Sequence, residues 1–336
     1  MNYHASPHLD AIALFVLAVS AAALPAHAQP ASTGSGQAWP AKPIRMIVPY
    51  PSGGTSDILA RLVGQKLTEA WSQQIVVDSR PGANGTIGTD IVVRSPPDGH
   101  TFLLTDVGNL MITPLTLPKL PFDPVRDLAP IGTVSYSPHL LAVHPSVPVK
   151  NLAELIALAK KNPGKLNFPT GLGGAPHLAG LAVQNRTGVN WVYIPTKGGQ
   201  QSLMTVATGE GDVMFLGILQ TLPHVKSNRV KVIAISSEKR DPALPNTATV
   251  AETPGFEGFH TGSWQGILGP AKLPADIIGK FNGELRRVLA LPDVKEKLGT
   301  QGTVPLSMTP QETGKFLLAE KDRWAKVVKE SGFKME

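Results

Sequence analysis

Two glycine-rich stretches hold the residue types that could do chemistry. In Pro49-Tyr50-Pro51-Ser52-Gly53-Gly54-Thr55-Ser56-Asp57, hydroxyls, two glycines and a carboxylate sit between two regular segments. Before them runs the short apolar stretch Ile44–Val48, which reads as a buried strand; after them Ile58, Leu59, Leu62, Val63 and Leu67 recur at helical spacing. A strand that turns through such a loop into a helix leaves unpaired backbone N–H groups at the helix start. Gly53 and Gly54 carry no side chain, so a ligand can approach that backbone closely. The helix dipole adds roughly 0.3–1 kcal/mol for an anion placed there. The stretch therefore predicts an anion cradle. The plainer alternative is that Ser56 or Asp57 caps the helix while the glycines only turn the chain. Asp57 fits a cap better than direct contact with an anion. The Lys-Ser/Thr ending of a Walker A loop and the Gly-x-Gly-x-x-Gly dinucleotide pattern are both missing.

The second stretch, Thr170-Gly171-Leu172-Gly173-Gly174-Ala175-Pro176-His177, repeats the design. His177 at its helix start reads as a hydrogen-bonding wall and not a catalyst. Arg80-Pro81-Gly82-Ala83-Asn84-Gly85-Thr86 is a third loop of the kind, with Asn84 and Thr86 read as structural. A hydrolase triad of Ser52 or Ser56, His177 and Asp57 is disfavoured, because Ser56 and Asp57 are adjacent and a Gly-x-Ser-x-Gly elbow is absent. The histidines show no His-Glu-x-x-His spacing, and no cysteine is present for thiolate chemistry or thiolate metal sites. No metal, no cofactor and no catalysis is expected.

The elements that must position these loops alternate along the chain. Strands are expected at Ile75-Val76-Val77 and Thr101-Phe102-Leu103-Leu104, with a helix over residues 87–93 between them. Short connections between alternating strands and helices predict a mostly parallel sheet. Residues 118–130 carry four prolines and read as a stiff crossing between domains. Strands at residues 131–134 and 140–143 follow. Asn151 with Glu154 forms a capping box for a helix that stops at Asn162-Pro163-Gly164. A second round of alternation then runs through strands at 166–168, 191–194, 213–216 and 230–235, with helices from His177 and over 200–208. Residues 263–268 read as the return crossing. Helices over 274–291 and from Thr309-Pro310-Gln311-Glu312 onward close the chain, the latter packing on the first domain.

With 336 residues, 42% hydrophobic and 17% charged, the chain can build two cores. The formal charge of +6 is scattered and lacks a basic run with interleaved aromatics, which argues against a nucleic-acid partner. Residues 11–24 are apolar and Ala26-His27-Ala28 offers a cleavage site, so residues 1–28 read as a secretory leader cut after Ala28. Its n-region lacks Lys and Arg, which leaves the true start codon open. No later stretch reaches the roughly 18 apolar residues of a membrane span.

The segments VPYPSGGTSDILARLVGQKL, RPGANGTIGTDIV, PPDGHTFLL, LPFDPVRDLAPIG, VKNLAELIALAKKNPGKLNF, GGAPHLAG, GDVMF and PALPNTATVAE, kept in order and spacing, resemble Bug-type receptors. These are the periplasmic solute-binding proteins of tripartite tricarboxylate transporters. The resemblance implies an α/β, two-domain type II periplasmic-binding-protein fold with a hinge of two crossing segments and an interdomain cleft. The expected domains are residues 40–140 with 262–336, and residues 141–261. It implies a monomeric receptor that hands a small organic carboxylate to integral membrane permease subunits. A co-receptor reporting to a membrane sensor is the alternative reading.

In that family a ligand carboxylate is held by loop backbone groups, side-chain hydroxyls and bridging waters. The corresponding loops here are residues 52–57 and 170–177. The expected ligand-binding set is thus Tyr50, Ser52, Gly53, Gly54, Thr55 and Asp57 from the first loop. Thr170, Gly171, Leu172, Gly173, Gly174 and His177 come from the second, joined by Thr105, Asp106, Lys197 and Leu216. Three departures fall around the distal half of the pocket. Leu216-Gly217 stand where many relatives have an acidic residue, Thr196 precedes Lys197-Gly198 where relatives have Tyr, and Thr113-Pro114 replaces Asn-Pro. With Leu172, Leu216 and Trp264 on the far wall, an aromatic or short aliphatic carboxylate without a cationic amine is expected over aspartate- or glutamate-like ligands, since a buried unpaired cation is very costly; Asp106 from the other domain is the group that could substitute for the missing acid.

Overall fold

A computed structural model describes residues 39–117 and 119–334. The expected leader and its cleavage site, the lead-in at 29–38, and Pro118 lie outside the described residues.

The chain begins as strand–helix units. Strand β1 (Ile44–Val48) leads into α1 (Thr55–Trp71), β2 (Ile75–Ser79), α2 (Thr86–Val93) and β3 (Thr101–Asp106). A π turn at Gly108–Ile112 and the single turn α3 (Thr113–Thr116) end this run. β1 pairs in parallel with β2 on one side and with β3 on the other.

Strand β4 (Leu128–Val143) then runs for 16 residues. The second round follows as α4 (Leu152–Lys161), β5 (Asn167–Thr170), α5 (Ala175–Thr187), β6 (Val192–Pro195), α6 (Gly199–Ala207), β7 (Val213–Gly217), α7 (Ile218–Lys226) and β8 (Lys231–Ile235). The return strand β9 (Gly262–Pro270), α8 (Ala275–Ala290), α9 (Pro292–Gly299), β10 (Val304–Pro305) and α10 (Pro310–Ser331) complete the chain. One expected capping box closes fully and the other only in part, since Glu154 accepts from the Lys150 N–H and not from that of Asn151. The Asn151 side chain accepts from the Glu154 N–H, and Thr309 with Glu312 satisfies two donors reciprocally at the start of α10.

Three expectations are corrected. The segments at 131–134 and 140–143 are one strand, because Ser135, Ser137 and His139 between them are buried and the backbone continues the ladder. The sheet is mixed: β1–β3 and the β5–β6 pair are parallel, whereas β4 runs antiparallel to β7, β8, β9 and β10, and β3 antiparallel to β9. The crossing is also not the proline stretch. β4 pairs with β9 as far as Pro138 and with β7 from His139 onward, so the chain passes from one lobe to the other inside a strand.

Each lobe has its own core. In the first, Phe281 of α8 lies 4.5 Å from the Phe102 ring and 5.2 Å from Trp71, among Ile44, Met46, Leu59 and Leu67. In the second, Phe168 and Phe215 pack with Leu141, Val143 and Leu155. Full burial of a side chain of this size stabilises by roughly 1.5–3 kcal/mol, which is what fixes each loop to a rigid base. Among the described residues no helix is long and apolar enough to cross a membrane.

Candidate functional site

The starts of α1 and α5 face each other across a cavity of about 760 Å³ between the lobes. Both loops owe their shape to a glycine in the left-handed region, Gly53 at φ 83° and Gly173 at φ 77°. Each of these glycines donates its N–H to the side chain four residues on. Gly53 donates to Asp57 Oδ2 at 3.0 Å, and Gly173 to His177 Nδ1 at 3.1 Å. Asp57 and His177 are therefore spent on holding the loops, and neither lines the cavity.

Of the sixteen expected residues, ten line the cavity: Tyr50, Gly54, Thr55, Asp106, Thr170, Gly171, Leu172, Gly174, Lys197 and Leu216. Six lie off its wall. Asp57 and His177 are loop braces, and Gly53 and Gly173 donate to them. Exposed Ser52 lies 3.2 Å from the Ser79 hydroxyl, and buried Thr105 turns its hydroxyl to Asn109 Oδ1 at 3.3 Å. The split between Thr105 and Asp106 follows from the alternation of side chains along a strand. Trp264, expected on the far wall, faces the opposite side of β9, where its Nε1–H donates to Glu320 Oε2 at 2.9 Å.

That same alternation brings in residues the sequence reading missed. Ser263 and Gln265 of β9, and Ser137 and His139 of β4, all line the cavity. The large apolar Trp264 between Ser263 and Gln265 was the available signal for which face is which. His139 Nε2 and Nδ1 lie 3.1 Å from the hydroxyls of Ser263 and Thr261, and burial pushes the imidazole down to about 3. It is a neutral group. Gln220 of α7, Gln200 and Gly199 were missed as well, and Pro223 inside α7 hid that helix from periodicity.

Asp106 contributes a carboxyl to the wall. Its Oδ1 accepts the Tyr50 hydroxyl at 2.6 Å and the Asn109 N–H at 3.2 Å. Burial raises its pKa, against the pull of hydrogen bonds from Tyr50, Asn109 and Gly108. Burial and the neighbouring carboxylate likewise push the Tyr50 phenol well above its ordinary value.

Residues 82–85 all have positive φ, including Ala83 at 44° and Asn84 at 52°. Such a conformation costs a non-glycine residue roughly 1–2 kcal/mol. It is held from both sides. Asn84 Nδ2 donates to Leu172 O of the second lobe at 2.9 Å, and the Asn84 carbonyl accepts from Asn109 Nδ2 at 3.1 Å. Among the described residues no group of three or more His, Asp or Glu is placed to hold a metal ion.

This geometry has counterparts of known structure. The structure of R. palustris Rpa4515 with adipate matches at TM-score 0.86 and 31% identity, over 88% of this chain and 99% of that one. Periplasmic binding protein BugD matches at TM-score 0.84 and 30% identity, over 89% of this chain and all of that one. MatC (Rpa3494) from Rhodopseudomonas palustris, with bound malate, matches at TM-score 0.80 and 28% identity, over 86% and 99%. The two lobes joined by crossing strands are thus the two-domain fold of periplasmic binding proteins. The family model described as "Tripartite tricarboxylate transporter family receptor" covers residues 59–333, and the chain belongs to that family of solute-binding receptors.

Proposed function

We propose that this protein is a periplasmic receptor that captures a small organic carboxylate between its lobes and delivers it to the permease subunits of a tripartite transporter. One observation carries the reading. The cavity of about 760 Å³ lies between two glycine-braced helix starts, and amides, hydroxyls and Lys197 outnumber the single carboxyl of Asp106 on its wall. That volume falls within the range of small-molecule sites. Adipate and malate in the related structures are ligands of this chemical kind.

In this reading residues 40–140 and 262–336 form one domain and 141–261 the other. The receptor works as a monomer and performs no chemistry on its ligand. Closure draws its energy from contacts that exist only when both loops hold the same molecule. The ligand carries no ammonium group. Leu216 stands, buried, where an acid would be needed; the remaining carboxyl, Asp106, has its Oδ1 held by Tyr50 and Asn109, and burial works against its charged form. A cation placed in such a wall without a free carboxylate partner would be left unpaired.

The test is a thermal-shift and calorimetry panel of mono- and dicarboxylates, including adipate, malate, aspartate and glutamate. Ligands that bind the folded state raise its melting temperature. A plain or hydroxylated carboxylate should lead the panel. An amino acid binding more tightly than every plain carboxylate would remove the ammonium-free assignment, and a panel without a single hit would remove the carboxylate reading. Export is checked on the same protein: cleavage after Ala28 leaves Gln29 at the N-terminus by mass spectrometry, and a periplasmic form retaining residues 1–28 would overturn it.

A further inference from the structure

The first donor of helix α1 is already taken. Thr55 N–H, at the point where the helix would meet an anion, donates to Gln220 Oε1 at 3.0 Å, and Gln220 belongs to α7 of the second lobe. A backbone N–H can only donate, so the amide oxygen of Gln220 must be the end that faces Thr55. Its Nε2 then points elsewhere. Gln220 is 6% exposed and lines the cavity, and its Nε2 has no hydrogen-bond partner among the described residues. Gly199 makes the room: a β-carbon there would overlap Gln220 Nε2 and approach Leu216 Cδ1 to 2.9 Å.

A second glutamine repeats the arrangement from the first lobe. Gln265 is 1% exposed, its Oε1 accepts the Ser56 hydroxyl at 2.8 Å, and its Nε2 is buried without a partner. Consecutive residues at the start of α1 thus each hold a glutamine oxygen, one from each lobe. Gln265 Nε2 is sealed even from water, whereas Gln220 lines the cavity, so it is to Gln220 that an incoming carboxylate can supply the missing acceptor.

We infer that the ligand carboxylate is received by the side-chain amide of Gln220 in place of the Thr55 N–H. Helix α1 acts through Gln220: its dipole polarises the bound amide oxygen, which makes the Nε2 protons better donors. Because Gln220 reaches across the cleft, the donor is assembled only when the lobes meet. This inference rests on the carboxylate reading above and specifies which atoms carry it out.

Gln220→Glu tests it, because a carboxylate keeps an acceptor for Thr55 N–H while placing an anion where the Nε2 protons were. Calorimetry with adipate, or with whichever carboxylate leads the panel, should show affinity lower by about 100-fold, from a lost donor plus like-charge repulsion. Should that variant fail to fold, Gln220→Met keeps the length without the amide and should lose about tenfold. Either variant binding within about threefold of wild type, well below the effect of one lost charge-assisted hydrogen bond, overturns the inference while leaving the receptor reading intact. A wild-type protein that binds no carboxylate at all removes both.

Discussion

The loops before α1 and α5 have the same backbone but different chemistry. Gly54 and Gly174 are the N-caps at φ −78°, ψ 170° and φ −81°, ψ 164°, each preceded by a left-handed glycine that donates its N–H to a side chain four residues on. In the first loop that acceptor is the charged Asp57, held by Arg61 at 2.9 Å. In the second it is the neutral ring of His177, wedged edge-on at 4.6 Å from both Tyr193 and Phe333. Pro176 also removes one donor from the second helix start. The lesson is that the turn requires a left-handed glycine and an acceptor four residues later, while the kind of acceptor is free. One lobe uses a buried carboxylate paired with a solvent-exposed arginine and the other a dry aromatic sandwich, so the same geometry responds differently to charge and pH.

The largest expected effect separates the two loops at their N-caps. A β-carbon at Gly54 would meet only ordinary contacts, 3.5 Å from Gln220 Oε1 and 3.6 Å from Pro51 O, and the φ is open to any residue. The longer side chain in Gly54→Leu would instead fill the space of Gln220 and the cavity. Binding of the leading carboxylate should fall by about 100-fold or more, the scale of a lost charge-assisted hydrogen bond plus overpacking, with a smaller loss of melting temperature than at Gly174. Gly174→Leu starts tighter, with its β-carbon 3.2 Å from Gly171 O, and should lose stability as well as binding. Paired calorimetry and melting curves decide it. A Gly54→Leu protein with wild-type affinity would take the α1 loop out of the site.

The second effect concerns pH. Burial pushes the His177 imidazole down from 6.5 to about 4. The unfolded chain therefore takes up the proton first as pH falls. Stability from this group is full above pH 6.5 and is lost between 6.5 and about 4, by about 3 kcal/mol over the window. His139, buried and pushed down to about 3, adds a similar slope. His177→Gln should remove only its own share, so urea unfolding of both proteins at pH 7.5, 5.5 and 4.5 isolates it. Parallel stability curves for the two proteins would show that the second brace is not the buried neutral ring described.

Much of this was legible in the sequence, for identifiable reasons. Regular hydrophobic spacing placed β1, β2, α8, the end of α1 and the start of α10 within one to two residues, because propensity, capping and burial agree there. The glycine loops were visible because only glycine fits their positive φ. The crossing was not. Ser135-Tyr136-Ser137-Pro138-His139 reads as a polar break, and it is a strand because β9 pairs its backbone while Ser263 and Thr303 partner the His139 ring and the Ser137 hydroxyl; the Ser135 hydroxyl stays buried without a partner. Gln220 was invisible for the same kind of reason. Its role depends on a partner 165 positions away in the chain, and no local pattern encodes that.

The smallest expected effect sharpens the contrast from the first loop. Burial disfavours the Asp57 carboxylate, but hydrogen bonds from Arg61 and Gly53, together with the Arg61 charge, hold its pKa below the usual range. Asp57→Asn keeps an oxygen for Gly53 N–H and loses the charge. The Arg61 side chain is 58% exposed although that of Asp57 is only 5% exposed, so solvent screens the pair from the Arg61 side and the loss at pH 7 should be about 1 kcal/mol. The sign follows from the lowered pKa. Stability from Asp57 is present above the ordinary carboxylate value of 3.8 and is lost as pH falls through the lower folded value. The difference between wild type and Asp57→Asn should therefore stay constant from pH 7 to 5, where wild type is already losing the His177 share, and close only in stronger acid. It should also shrink in 1 M salt, where the Debye length is about 3 Å. Urea unfolding at the two salt concentrations and across that pH range measures this. A salt-insensitive loss of several kcal/mol would mean that the exposed Arg61 does not open the pair to solvent screening, and the contrast between an ionic and a dry brace would collapse.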